Sequence, residues 1–336
     1  MEEIKAFKKR VASLFVVSTP FQALCALATL KQLEISDYRI IAHLPQGNVR
    51  NEQLRAFLYS NGLKFTSYTP NKLSSRYYRW LSFMRRHNGY DRLFVGNFND
   101  VPGFLRACHE IKDGASIVYL DDGNNTVSLF RGMTTTSFSS EINKRLAIIR
   151  SKRQFVLFRN FLTIYGDIKN QKYNIEELKL NHIVNNNFLR NKYSGIYIIG
   201  TVIEEVCKTY NIQRSYFINQ LKILFELLLS EYPSESIVYI PHGRDSSEYA
   251  QALCREFNVE FRECETMVEI ELMRGNSYPK AVYGYTSSAL FSIKGLFSQT
   301  KVVNILCDVK ANNQFYREIV EISKYYREHG IETITL

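Results

Sequence analysis

No apolar run in this chain approaches the roughly 18–20 residues that a membrane-spanning helix requires, which argues against an integral membrane protein. Its six cysteines, at positions 25, 108, 207, 254, 264 and 307, are scattered through apolar segments and no two are spaced as metal ligands. That pattern fits a reduced, cytoplasmic chain without a disulfide framework or a zinc module. There is no Gly-x-x-x-x-Gly-Lys-Ser/Thr and no Gly-x-Gly-x-x-Gly after a strand-like run, so phosphate-loop kinases, NTPases and NAD enzymes are not expected. No helix-turn-helix, zinc finger or aromatic RNA-binding signature occurs, so nucleic acid is not an expected partner. Internal repeats and low-complexity tracts are absent as well. The opening is acidic (Glu2, Glu3), then basic (Lys5, Lys8, Lys9, Arg10), and the apolar stretch Leu14–Val17 that follows ends at Thr19-Pro20. As a secretory leader it is too short and wrongly flanked.

What is present is apolar surface and positive charge. The 336 residues are 45% hydrophobic and include 22 Tyr and 22 Phe, enough to bury sizeable cores and to exclude disorder over most of the chain. At roughly 100–200 residues per domain, that length predicts two domains. Lys and Arg total 43 against 33 acidic residues, a formal charge of +10. The excess implies an anionic partner: a nucleotide, a membrane surface or a polyanion.

Strand-like and helix-like segments alternate from end to end, which predicts parallel sheets with right-handed crossovers. Strands are expected at Leu14–Ser18, Tyr38–His43, Phe65–Tyr68, Arg92–Gly96 and Ser116–Leu120, with helices near 21–33, 50–61, 74–87 and 101–111. Residues 140–163 read as a long basic helix, and 164–190 as a polar connection without a clear period. A second set of strands follows at Ile196–Gly200, Ser236–Ile240, Glu260–Glu263, Ala281–Tyr285 and Lys301–Leu306, with a last short one at Thr333–Leu336. Its helices are expected near 213–231, 246–257, 268–275, 288–297 and 313–329. The reading is α/β, two Rossmann-like domains facing each other across a cleft, residues 1–185 and 186–336. Ligands in such sheets lie beyond the carboxyl ends of the strands, so chemistry is sought there.

The first strand runs into Ser18-Thr19-Pro20-Phe21-Gln22. Thr19 suits a helix cap, Pro20 the first turn, and Gln22 is expected to face the cleft. The fifth ends in Asp121-Asp122-Gly123. Because side chains alternate, one carboxylate can point to the cleft while loop amides hold the other. A carboxylate there can act as a general base, bind a metal or make an Asx turn. In the second half, Pro241-His242-Gly243-Arg244-Asp245 follows a buried strand. Its His can meet an anion or protonate a leaving phosphate, Arg244 can add charge or pair with Asp245, and a satisfied capping loop is the plainer reading. Thr286-Ser287-Ser288 opens a helix whose amides and hydroxyls suit a phosphate, or simply cap it. Glu269, at another helix start, can grip ribose hydroxyls or be a surface charge. Two basic segments remain. Arg76, Arg79, Arg85 and Arg86 interleave with aromatics, and Lys144, Arg145, Arg150, Lys152, Arg153 and Arg159 run along the long helix. They suit anionic lipid, anionic glycan or a solvated face.

The ordered set Asp121-Asp122-Gly123, Pro241-His242, Glu269 and Ser287-Ser288 resembles the acidic-pair, His-Pro and Ser-Ser motifs of bacterial sialyltransferases. The opening Ser18–Gln22 segment and Val282–Leu290 look most like glycosyltransferase family 52, which includes lipooligosaccharide and capsule sialyltransferases. The resemblance runs in order over nearly the whole chain, though its motifs are short. It implies a GT-B fold with an N-terminal acceptor-side domain and a C-terminal nucleotide-sugar domain. It further implies an inverting reaction that moves sialic acid from CMP-sialic acid to a terminal sugar of a surface glycan, galactose first, with no cofactor and no metal. Carried over by position, Asp121 is the general base with Asp122 and Gly123 supporting it, and His242 contacts the phosphate as general acid. Pro241, Gly243, Arg244, Glu269, Thr286, Ser287 and Ser288 line the CMP site, and Thr19, Pro20 and Gln22 the acceptor side. The Pro that usually follows the motif His is Gly243 here. The alternatives kept are a polysialyltransferase, or a GT-B transferase or epimerase using another nucleotide sugar. Peripheral contact with the inner face of the plasma membrane through the basic helices is an expectation, and a homodimer is left open.

Overall fold

The structure is a computed structural model. It describes residues 12–44, 50–69, 89–96, 107–108, 110–131, 156–168, 173–184, 193–245, 248–274, 277–307, 309 and 314–336. The chain separates into two compact units, Met1–Ile183 and Val184–Leu336.

The first unit holds β1 (Ser13–Val17), α1 (Pro20–Gln32), β2 (Tyr38–His43), α2 (Arg50–Ser60), β3 (Phe65–Tyr68), β4 (Tyr90–Val95), β5 (Ile111–Tyr119), α3 (Asn124–Phe130), β6 (Val156–Thr163) and β7 (Asn174–Glu177). Its seven described strands form one sheet in the order β3-β2-β1-β4-β5-β6-β7. Every pairing in it is parallel. Central strands buried on both faces are continuously apolar: Leu14, Phe15, Val16 and Val17 of β1 are all buried, as are Leu93, Phe94 and Val95 of β4. On one face Val16, Val95, Ile117 and Tyr119 pack with Phe130 of α3 and Phe161 of β6.

The second unit holds β8 (Tyr193–Ile199), α4 (Ile203–Tyr210), α5 (Arg214–Glu231), β9 (Ile237–Ile240), α6 (Glu248–Glu256), β10 (Glu260–Phe261), α7 (Val268–Arg274), β11 (Tyr278–Gly284), α8 (Ser288–Leu296), β12 (Lys301–Leu306), α9 (Gln314–Glu328) and β13 (Glu332–Thr335). Its sheet runs β10-β9-β8-β11-β12-β13, again parallel throughout. Helix α5 presents Phe217, Leu221, Leu224, Phe225 and Leu228, one stripe at helical spacing, to Ile196, Ile198, Tyr239 and Tyr283.

In both sheets the order reverses beside the first strand of the unit, between β1 and β4 and between β8 and β11. This is the topological switch point at which open α/β sheets receive ligands.

Three sequence expectations need correction. The C-terminal part of the expected basic helix is strand β6, because Val156–Thr163 is rich in apolar and aromatic residues and adds to the sheet beside β5. There Phe161 packs on Tyr119 and Phe130, with ring centroids 5.2 and 4.9 Å apart. The expected connection 164–190 contributes β7, whose polar sequence Asn-Ile-Glu-Glu suits a short strand at the end of the sheet. Strand β5 begins at Ile111, inside the segment read as helix 101–111. The expected helix 74–87 and the basic residues 76–86 and 144–153 lie outside the described residues. Among those that are described, no helix is long and apolar enough to cross a membrane.

Candidate functional site

In the first unit the motif residues gather where β1, β4 and β5 end. Thr19 caps α1, its hydroxyl accepting the Gln22 backbone N–H at 3.2 Å, and Pro20 occupies the first turn. Gln22 is 0% exposed. Its Oε1 accepts two donors from Ser18, the backbone N–H at 2.8 Å and the hydroxyl at 3.0 Å. Its Nε2 donates to Asp122 Oδ1 at 2.8 Å, a hundred residues along the chain. The side chain thus runs from the end of β1 past the end of β4 to the end of β5. Gly96, just beyond β4, leaves it room: a Cβ there would sit 2.8 Å from Gln22 Cβ and 2.9 Å from Oε1.

The two carboxylates are divided by strand alternation. Asp121 is 0% exposed. Its Oδ1 accepts the Thr163 hydroxyl at 2.5 Å and its Oδ2 the Ile164 N–H at 2.6 Å, which ties the end of β5 to the end of β6. Burial pushes its carboxyl up to about 7, against the lowering effect of the Thr163, Ile164 and Thr126 donors. Asp122 is half-buried instead. Besides Gln22 it meets Asn125, whose Nδ2 donates to Oδ2 at 3.2 Å, and its own N–H donates to Thr126 Oγ1 at 3.1 Å. Gly123 follows with φ 66°, a left-handed conformation that favours glycine and turns the chain into α3.

These positions give the two carboxylates of the pair different surroundings. A perturbed carboxyl near neutrality invites a catalytic reading, but geometry comes first. Asp121 has no exposed surface with which to touch an acceptor, and both its oxygens are taken. Gln22 is likewise not a surface contact; it is the group that holds Asp122.

In the second unit, His242 lies half-buried just past β9. The turn Pro241–Asp245 closes by Asp245 N–H donating to His242 O at 2.7 Å. Nδ1 of His242 accepts the Arg244 N–H at 3.2 Å. With Nδ1 as acceptor, a neutral ring carries its proton on Nε2. Arg244 pairs with Glu205 in the first turn of α4, at 2.8 and 3.1 Å, rather than with Asp245. Both partners are more than half exposed, so the pair is worth little stability.

At the end of β11, Thr286 has φ 42°. A β-branched residue in that region stores strain and needs an external hold. Asn304, 0% exposed in β12, supplies it: Oδ1 accepts the Thr286 N–H at 2.8 Å, while Nδ2 donates to Ser323 Oγ at 3.0 Å. Ser287 caps α8, its hydroxyl accepting the Ala289 N–H at 3.3 Å, and Tyr326 donates to its carbonyl at 2.9 Å. Thr286, Ser287 and Ser288 are all half-buried at this helix start. His242 and this start lie two strands apart in the sheet order, about 10 Å at the usual strand spacing.

Glu269 does not join them. It is 3% exposed, accepts the Ser292 hydroxyl at 2.6 Å, and so ties α7 to α8. Burial pushes its carboxyl up, partly offset by Ser292 and its own N–H. The ribose grip expected of it does not match this geometry. No group of three or more His, Cys, Asp or Glu among the described residues is arranged to hold a metal ion.

The sequence reading gives no site role to Ser18, Gly96, Thr163 or Asn304. Two of them carry a signal: Gly96 is a glycine at a strand end, and Asn304 is the polar residue inside the otherwise apolar run Val302–Leu306.

No family model and no curated protein matches this chain. Solved structures do. A sialyltransferase from Photobacterium damselae, in the segment corresponding to its GT-B domain, superposes with a TM-score of 0.53 at 11% identity, over 97% of this chain and 100% of the other. The fold is GT-B. The S. aureus MnaA–UDP complex gives 0.51 at 13% identity over 95% and 88% of the two chains. A UDP-N-acetylglucosamine 2-epimerase gives 0.51 at 10% over 95% and 88%. At such identities the shared property is the fold alone, to which the two all-parallel sheets, one in each unit, conform.

Proposed function

We propose that the protein is an inverting sialyltransferase that moves sialic acid from CMP-sialic acid to a terminal sugar hydroxyl of a bacterial surface glycan, with galactose the first candidate. The second unit holds the nucleotide and the first supplies the base. The observation that carries this reading is the state of Asp122. It is a half-buried carboxylate at a strand end, oriented by a buried amide, in the motif that resembles the acidic pair of sialyltransferases.

Asp122 takes the proton of the acceptor hydroxyl as its oxygen attacks the anomeric carbon. The bond from that carbon to the phosphate oxygen breaks with inversion, and CMP departs with the electron pair. His242, donating through Nε2, and the hydroxyls and amides at Thr286–Ser288 stabilise the charge that grows on the phosphate. Pro241 and Gly243 shape the His242 turn, and no metal takes part. The resemblance of the Ser-Ser and His motifs supports CMP over other nucleotides.

A second reading, a GT-B transferase or epimerase acting on a UDP-sugar, draws on the comparable likeness to UDP-binding proteins. Titration calorimetry with CMP and UDP separates the two. The first reading expects CMP to bind at least tenfold more tightly, with affinity falling in His242→Ala; tighter UDP binding would favour the second.

A further inference from the structure

We infer that Gln22 is a positioning residue that holds the Asp122 carboxylate in its working orientation and favours its ionised form. The inference extends the proposed function, since it gives the base a dedicated partner, but the geometry behind it stands without that function.

The orientation of the Gln22 amide is not ambiguous. The Ser18 backbone N–H can only donate, so the atom 2.8 Å from it must be the carbonyl oxygen. Ser18 Oγ lies 3.0 Å from the same oxygen. The amide nitrogen is therefore left to face Asp122 Oδ1 at 2.8 Å. A buried glutamine costs free energy unless its groups are satisfied, and here both ends have partners. Two donors on Oε1 polarise the amide and strengthen its N–H toward a carboxylate. The path is kept clear by Gly96, where any side chain would strike Gln22 first.

Other groups meet the same carboxylate. Asn125 donates to its second oxygen, and the backbone N–H of Asp122 donates to Thr126 Oγ1. The Asp122 charge is one of the causes that raise Asp121, the preceding residue, to about 7. A donor on Oδ1 favours the charged form of Asp122. A general base must be ionised to accept a proton, and fixed to accept it along one direction.

The test uses full-length protein labelled with 13Cγ-aspartate, the Asp122 signal being assigned by its loss in Asp122→Asn. Gln22→Glu keeps the acceptor facing Ser18 but sets a second carboxylate against Asp122. Carboxylates that close share a proton, so the Asp122 midpoint is expected to rise by at least about one pH unit. Gln22→Met removes the donor at similar volume and is expected to raise it in the same direction. In the transfer assay, Gln22→Glu is expected to move the acid limb of kcat/KM upward by the same amount, about tenfold less activity at a given pH on that limb for a one-unit shift. The KM for donor is expected to stay within twofold. An Asp122 midpoint unchanged in both variants, each folded as judged by its amide spectrum, would overturn the inference. Were Gln22→Glu not to fold, Gln22→Met would decide by the same readout. Absence of transfer by the unsubstituted protein would count against the sialyltransferase reading alone, since the titration needs no activity.

Discussion

Replacing Asp121 and replacing Asp122 are expected to fail in different ways. Asp121→Ala leaves the Thr163 hydroxyl and the Ile164 N–H without their acceptor inside the unit. Each orphaned buried donor costs about 1–3 kcal/mol, so urea unfolding is expected to show a loss of at least about 2 kcal/mol. Asp122→Ala leaves the single buried donor of Gln22 without its acceptor, a loss of about 1–3 kcal/mol, while transfer falls by about 10²–10⁴, the usual worth of a positioned general base. The buried carboxyl also has a pH signature. Its folded value of about 7 lies above the ordinary carboxylate value, so the folded state holds a proton that the unfolded chain has released. This group's contribution is therefore greatest at and below about pH 4 and is lost as pH rises toward about 7. Urea unfolding at intervals between those limits should show that slope, and Asp121→Asn should flatten it. The acidic pair was visible in the sequence because two carboxylates beside a glycine at a strand end are conspicuous. Which of the two is held and which is presented depends on Thr163, on a strand that the sequence reading had as helix, so it was not legible.

At the scale of elements, two strand ends are held by single polar residues. Gly96→Ala would place a methyl 2.8 Å from Gln22 Cβ and drive that side chain off Asp122. Transfer is expected to fall at least tenfold while circular dichroism stays unchanged. In the second unit, Asn304→Ala releases the strained Thr286 N–H and strands Ser323. A stability loss of about 1–3 kcal/mol is expected, together with weaker CMP binding in calorimetry, because the helix start after Thr286 loses its pin. Most elements of both sheets were readable, since apolar strands alternate with helices of clear period and α5 carries its stripe openly. Strands β6 and β7 were not. Residues 156–163 have no strict alternation, and they are strand because β5 offers them an edge to join. Residues 174–177 are too short and too polar to announce a strand, and only their place at the sheet end allows that composition.

At the scale of the molecule, the two sheets repeat one strand order, three-two-one-four-five, which the second extends by one strand at one end and the first by two. Alternation along the sequence was sufficient to read this fold, because each parallel pairing demands a crossover. The charge of +10 finds no account in the described site, where Arg244 is paired with Glu205 and the other groups are hydroxyls, amides and His242. Much of it belongs to residues 76–86 and 144–153. The donor is the central claim. Incubating the purified protein with CMP-sialic acid and lactose, in parallel with UDP-sugars, and reading products by mass spectrometry tests it most directly. The account predicts sialyllactose and stoichiometric CMP, both lost in Asp122→Asn; transfer or epimerisation with a UDP-sugar, and no product from CMP-sialic acid, would contradict it.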